Sequence, residues 1–213
     1  YSLVNKIFRH LYSMDDSLTA TIISEYEKTL NIPKNPPEKQ FLLCPVGLIG
    51  SGKTTTMRAL SKKLSLVRIS NDDVRKIIHD NYKSLVDTEG FTHIISTLFK
   101  KYLSLGYSIA ADGDCASEKA QALISEIQKE FNTKVIWIHI NTPEEFIIKN
   151  LLQDRRTWLF ANGEEAVKNY MKRKEIHQNL PMPFIYTFDM SLGTFDTQVD
   201  EATELIKREV GSM

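Results

Sequence analysis

The ten residues GLIGSGKTTT, Gly47 to Thr56, follow directly on the apolar run FLLCPV. Gly47, Gly52, Lys53 and Thr54 satisfy the spacing G-x-x-x-x-G-K-[ST]. This pattern carries meaning where it joins a strand to a helix. Residues 41–46 read as a short buried strand. Residues 54–64 read as a helix with Met57, Leu60 and Leu64 on its apolar face. In that setting the glycines let the backbone curl until successive N–H groups face one point. A helix beginning near Lys53 adds the positive end of its dipole. A nucleoside triphosphate is the ligand such a cradle takes. Gly47, Ile49, Gly50, Ser51, Gly52, Lys53, Thr54 and Thr55 are the candidate contacts. Lys53 is expected to reach the β- and γ-phosphates, and the Thr54 hydroxyl to ligate Mg2+. The competing reading is a glycine-rich turn that caps a helix.

The pattern downstream repeats strand, turn, helix. Strands are expected at 66–70 (LVRIS), 107–112 (YSIAAD), 134–140 (KVIWIHI) and 183–189 (PFIYTFD), and helices at 72–79, 91–105, 117–131, 143–152 and 196–210. Short apolar strands alternating with helices predict an α/β, three-layer α/β/α fold, a five-stranded, mostly parallel sheet covered on both faces. Pro45 falls near the end of the first strand, where a missing ladder donor is tolerable. Upstream, residues 3–13 and 17–30 read as helices, the second with Leu18, Ile22, Tyr26 and Leu30 at helical spacing. Three prolines in NIPKNPPEK then break the helix. We therefore expect an N-terminal helical extension and Pro-rich linker over 1–38, and a P-loop domain over 39–213 with a lid near 150–178.

Lys and Arg total 27 against 27 Asp and Glu. Neutrality argues against a large sequence-independent nucleic-acid surface, which needs excess positive charge. No apolar run approaches the roughly 18–20 residues that cross a bilayer, and residues 1–10 lack a signal peptide's apolar segment. The first residue is Tyr1, so native residues are expected before it. Cys44 and Cys115 have no metal-ligand spacing and read as buried free thiols in a reducing cytosol, hence a cytoplasmic protein.

A triphosphate site can serve a switch, an ATPase or a transferase. DTEG, Asp87 to Gly90, fits the D-x-x-G of a switch. It follows NYKSLV, a weak strand, and no N-K-x-D occurs in the chain, so a turn or helix cap is expected. RISNDDVRK is more informative. It sets Asp72 and Asp73 at the carboxyl end of a strand, which in a parallel sheet lies beside the phosphate cradle. An aspartate there can take the proton of an attacking hydroxyl. Arg75, one helical turn on, can grip a phosphate. Asn71 or Asp72 as a helix N-cap, with Asp73 favoured by the dipole, is the structural alternative.

GLIGSGKTT, RISNDDVR, SIAADGD and VIWIHINTPEE, in that order, resemble the P-loop kinases that include polynucleotide 5′-kinases, zeta-toxin kinases and chloramphenicol phosphotransferase, kinases classed with the AAA-type ATPases. The resemblance covers residues 41–210. It implies transfer of the γ-phosphoryl of ATP, with Mg2+, to a hydroxyl. It makes Asp72 the general base and Arg75 the contact to the acceptor phosphate or the transferring group. Asp112 orients Mg2+ or holds the acceptor, so Thr54, Asp72 and Asp112 are the candidate metal residues. Arg155 and Arg156, with Arg173 next, are the lid arginines, and FDMSLGTF (188–195) brackets the adenine. The group often carries Thr or Asn near the position of Asp114, and its spaced lid-arginine pair is not reproduced here. A polynucleotide 5′-hydroxyl is the first acceptor by resemblance. A nucleotide-sugar, nucleoside or antibiotic follows, with a non-transferring ATPase or GTPase switch module as the reading from another class. The basic run Lys172–Lys174 reads as a solvated face, and Trp158, Leu159 and Phe160 as lid core. His79, His93, His139 and His177 show no pairing with Cys or carboxylate that suggests a metal site. His139 is expected to be packed and hydrogen-bonded.

Overall fold

The computed structural model describes residues 16–83, 85–153, 158–177 and 180–211. The expected helix at 3–13 lies outside them. The chain runs α1 (Asp16–Glu27), β1 (Phe41–Val46), α2 (Lys53–Lys63), β2 (Val67–Ser70), α3 (Asn71–Ile77) with a π-helical turn (Ile78–Tyr82), and α4 (Thr88–Ser104). It continues through β3 (Ile109–Asp112), α5 (Glu118–Phe131), β4 (Lys134–Ile140), α6 (Glu144–Leu152), α7 (Gly163–Lys174) with a 3-10 turn (Glu175–His177), β5 (Phe184–Phe188) and α8 (Phe195–Gly211). The five strands form one sheet in the order β2-β3-β1-β4-β5, and every pairing is parallel.

Strand alternation divides the core. Leu42, Cys44 and Val46 of β1 turn to one face, where they meet Ile22, Ile23 and Tyr26 of α1, α4 residues such as Ile94 and Leu98, and Ile127 of α5. Phe41 and Leu43 turn to the other face, against Met57 and Leu60 of α2 and Val199, Ala202 and Ile206 of α8. β1 is buried along its whole length, as expected of a central parallel strand. Pro45 sits within β1, opposite Ile138 of β4. Its carbonyl accepts from Cys115 N at 3.1 Å on the β3 side. The missing donor thus falls where the β1–β3 ladder has already ended.

Several helix ends differ from the sequence expectation, each for a capping reason. α3 begins at Asn71 because Ser70 is the cap, its Oγ accepting from Asp73 N at 3.2 Å, so neither Asn71 nor Asp72 caps. α4 begins three residues early because Asp87 accepts from Gly90 N at 2.8 Å. DTEG is therefore a helix cap. Ser117 caps α5. α1 stops at Glu27, its carbonyl taken by Leu30 N in a closing turn.

Tyr26 ties α1 to β2. Its phenol donates to Arg68 O at 3.4 Å and receives Ser70 N at 2.8 Å. Burial pushes this phenol up to about 12, so it stays neutral and keeps both roles. Cys44 and Cys115 are both buried and free. Burial raises the Cys44 thiol well above its ordinary value, and a hydrogen bond to Cys115 adds to the effect. Among the described residues, no helix is long and apolar enough to cross a membrane.

Candidate active site

The cradle lies at the carboxyl end of β1. Gly52 takes φ +106°, a left-handed conformation, and a Cβ there would stand 2.5 Å from Met190 Cγ. A Cβ on Gly47 would stand 2.8 Å from the Ile140 carbonyl oxygen. The loop therefore approaches both β4 and the segment after β5 too closely for any side chain at these positions. Thr142, which the sequence did not single out, holds this closeness: its hydroxyl donates to Ser51 O at 2.9 Å and accepts from Met190 N at 3.2 Å.

Lys53, the first residue of α2, donates to the carbonyls of Gly47 and Leu48 at 2.7 and 2.8 Å. Burial lowers its pKa, against the pull of Asp114, Asp112 and Asp72. Thr54 Oγ1 donates to Asp112 Oδ1 at 3.1 Å. Asp112 is almost wholly buried, its side chain 2% exposed. Burial raises its pKa although Arg68 and Thr54 oppose the rise. A hydroxyl and a carboxylate oxygen in contact at a helix start are hard donors that suit Mg2+. The remaining positions of its octahedron would come from phosphates and water. The donor set of Thr54 and Asp112 fits that ion.

Asp72 lies on α3. Its Oδ1 is 3.3 Å from Arg75 Nη1, and Arg75 lies over the Phe91 ring at 4.3 Å. Asp73 turns the other way, to Arg68 Nη2 at 2.6 Å. Gly113 makes room for Asn71, whose Nδ2 would stand 2.3 Å from a Cβ there.

Helices α6 and α7 pack through Ile147, Leu151, Ala166 and Tyr170 onto Leu48 and Ile49 of the cradle. Glu144 fastens them, accepting from Tyr170 OH at 3.0 Å and from Lys174 Nζ. A cleft of about 610 Å3 lies between these helices and the cradle. It brings together Gly47, Ile49, Gly50, Gly52, Lys53, Thr54, Thr55, Asp72, Arg75 and Asp112 from the expected set. Ser51 is buried behind the loop and does not line the cleft. Arg155 and Arg156 lie outside the described residues.

Arg173 is exposed on α7, as a solvated face requires, and it also lines the cleft. Leu159 and Phe160 are only half-buried and line the same cleft, so they are not simply lid core. His177 has a carboxylate partner, Asp114, at 3.0 Å. His79 also has one, its neighbour Asp80 at 3.1 Å. His139 is half-buried and stacks on Phe184 at 4.7 Å between ring centroids. Arg68, His177, Asn150 and Asn169 are site or near-site residues that the sequence reading did not propose. Arg68 opens the stretch RISNDDVRK without having been given a role there, and the other three come from positions without a local motif.

Residues 42–174 match the AAA domain family. The chain belongs to it. Comparison with the curated proteins gives no match. Solved structures similar to this AAA domain include the Mycobacterium tuberculosis APS kinase CysC in complex with AMPPNP and APS. That match has TM-score 0.53 and 16% identity, over 80% of this chain and 99% of that one. Shikimate kinase from Acinetobacter baumannii in complex with shikimate matches with TM-score 0.52 and 21% identity, over 81% and 96% of the two chains. A gluconokinase from Sinorhizobium meliloti matches with TM-score 0.54 and 11% identity, over 84% and 97%. At these identities the likeness establishes the fold, that of a P-loop kinase, for the AAA domain described here.

Proposed function

We propose that this AAA domain is a phosphotransferase that moves the γ-phosphoryl of ATP to a hydroxyl of a small anionic acceptor. The observation that carries the reading is that Lys53 of the cradle and Asp72 of α3 line one cleft. Lys53 suits phosphates, and Asp72 suits the proton of an attacking hydroxyl. The N–H groups of the loop and Lys53 hold the triphosphate. Mg2+, when bound at Thr54 and Asp112, would offset phosphate charge. Asp72 takes the hydroxyl proton as the hydroxyl oxygen bonds to the γ-phosphorus. The bond from that phosphorus to the β,γ-bridging oxygen breaks, and ADP leaves. Arg75 and Arg173 supply positive charge where it develops. The lid keeps water from competing as acceptor.

Two observations support a small anionic acceptor over a polynucleotide end. The cleft of about 610 Å3 is walled by α6 and α7. Arg75 and Arg173 also line this one cleft, where burial and then the nearby Arg173 lower the Arg75 pKa, an arrangement relieved by an anion beside them. The test incubates the protein with γ-labelled ATP and Mg2+, with Asp72→Asn beside it. Phosphorylated, sulfated and carboxylated hydroxyl compounds are offered in parallel with 5′-hydroxyl DNA and RNA. Label on a small molecule, absent with the variant, is the expected result. Label on the oligonucleotides instead would move the acceptor to a polynucleotide. Partner-stimulated hydrolysis without transfer would return the protein to the switch reading.

A further inference from the structure

Asp112 has two carboxylate oxygens with different employers. Oδ1 receives the Thr54 hydroxyl at 3.1 Å, and Oδ2 receives Arg68 Nη1. The second arm of the same guanidinium, Nη2, reaches Asp73 Oδ2 at 2.6 Å. Arg68 stands on β2 directly beside β3, opposite Ala110 and two residues along from the Ser70–Asp112 pair. Its side chain is 19% exposed, so it is held among protein groups. Its own carbonyl is held by the Tyr26 phenol of α1. A planar guanidinium held at both arms gives Asp112 Oδ2 a bond of fixed direction, which a flexible ammonium does not.

We infer that Arg68 is the positioning residue of the metal site. It holds Asp112 by Oδ2 so that Oδ1 is presented, beside the Thr54 hydroxyl, to the Mg2+ that accompanies ATP. The inference rests on the reading of Thr54 and Asp112 as the Mg2+ residues. Arg68 does not line the nucleotide cleft. It acts through Asp112 alone, with Asp73 as its outer anchor.

The geometry separates this role from general support of the fold. Loss of Arg68 should remove the advantage that Mg2+ gives to ATP binding and leave metal-free ATP binding in place. That binding depends on the loop N–H groups and Lys53. The experiment measures ATP affinity by calorimetry, once with Mg2+ and once with a chelator, for the native protein, Arg68→Gln, Arg68→Lys and Asp73→Asn. Melting temperature is followed for each.

The expected result for Arg68→Gln is a loss of about tenfold or more in affinity with Mg2+, against less than about twofold with chelator, as for loss of the outer partner that orients a metal ligand. Arg68→Lys keeps the charge without the fork and should recover only part of the difference. Asp73→Asn changes a half-exposed group away from the cleft and should fold. By freeing one arm of Arg68 it should weaken the Mg2+ advantage by a few-fold. Should Arg68→Gln fail to fold, the Asp73→Asn and Arg68→Lys results decide. Equal losses with and without Mg2+, or none, overturn the role of Arg68. A native protein whose ATP affinity is indifferent to Mg2+ overturns the metal-site reading itself, a distinct outcome.

Discussion

Asp114 Oδ2 lies 3.0 Å from His177 Nε2, joining the loop after β3 to the turn that follows α7. Both side chains are well buried, at 20% and 7% exposed. Burial pushes Asp114 up, but the His177 hydrogen bond and Lys53 outweigh it and hold the carboxyl below its ordinary value.

That depression fixes the pH dependence of the contact. A carboxyl with a lowered folded pKa stabilises the fold above its unfolded value and loses that contribution as pH falls through the folded one. Asp114→Asn should therefore lower the melting temperature at pH 7, by about 1–3 kcal/mol of stability for a broken buried contact. The gap to the native protein should narrow below the ordinary carboxyl value of 3.8. Thermal melts of both proteins from pH 7 down to pH 3 check it. A gap that widens toward acid would contradict the assignment.

Lys53→Ala should lower phosphoryl transfer by about a hundredfold or more, because this reaction depends on positioned charge at the phosphates. The check is single-turnover transfer, with circular dichroism to establish folding. A folded variant with native turnover would remove Lys53 from the mechanism.

Asp72→Asn should separate chemistry from binding. Turnover is expected to fall by about 10²–10⁴-fold, the range for a general base, while ATP affinity changes little. Equal losses in both would make Asp72 a metal residue.

Gly52→Ala tests the closeness of the cradle to the segment after β5. The left-handed φ of +106° and the 2.5 Å approach of Met190 Cγ leave no place for a methyl group. The backbone strain alone costs about 1–3 kcal/mol. We expect ATP binding to be lost and the melting temperature to fall. The companion Met190→Ala should restore part of the stability and not the binding, since it relieves the contact but not the φ.

How much of this was legible in the sequence depends on distance along the chain. β1, the cradle and α2 were legible because strand, glycines, lysine and helix are consecutive. Asp72 and Arg75 were legible because one helical turn relates them. Arg68 was not. It opens RISNDDVRK, but in the sequence it reads only as a strand residue, because its partner Asp112 is 44 residues away. His177 was passed over for the same reason, with Asp114 63 residues away. Helix starts were misplaced at 72 and 91 because the caps, Ser70 and Asp87, lie upstream of the apolar periodicity that marks a helix.

Cys44 gives the cradle a built-in clock. The thiol sits in the middle of the central strand, shut from solvent and held protonated by burial. A thiol reagent can reach it only when β1 parts from its neighbours. Labelling rates at Cys44 therefore count openings of the strand that carries the phosphate loop. Because a ligand that binds only the closed form slows such openings in proportion to its occupancy, this one buried sulfur can report nucleotide binding with no acceptor known.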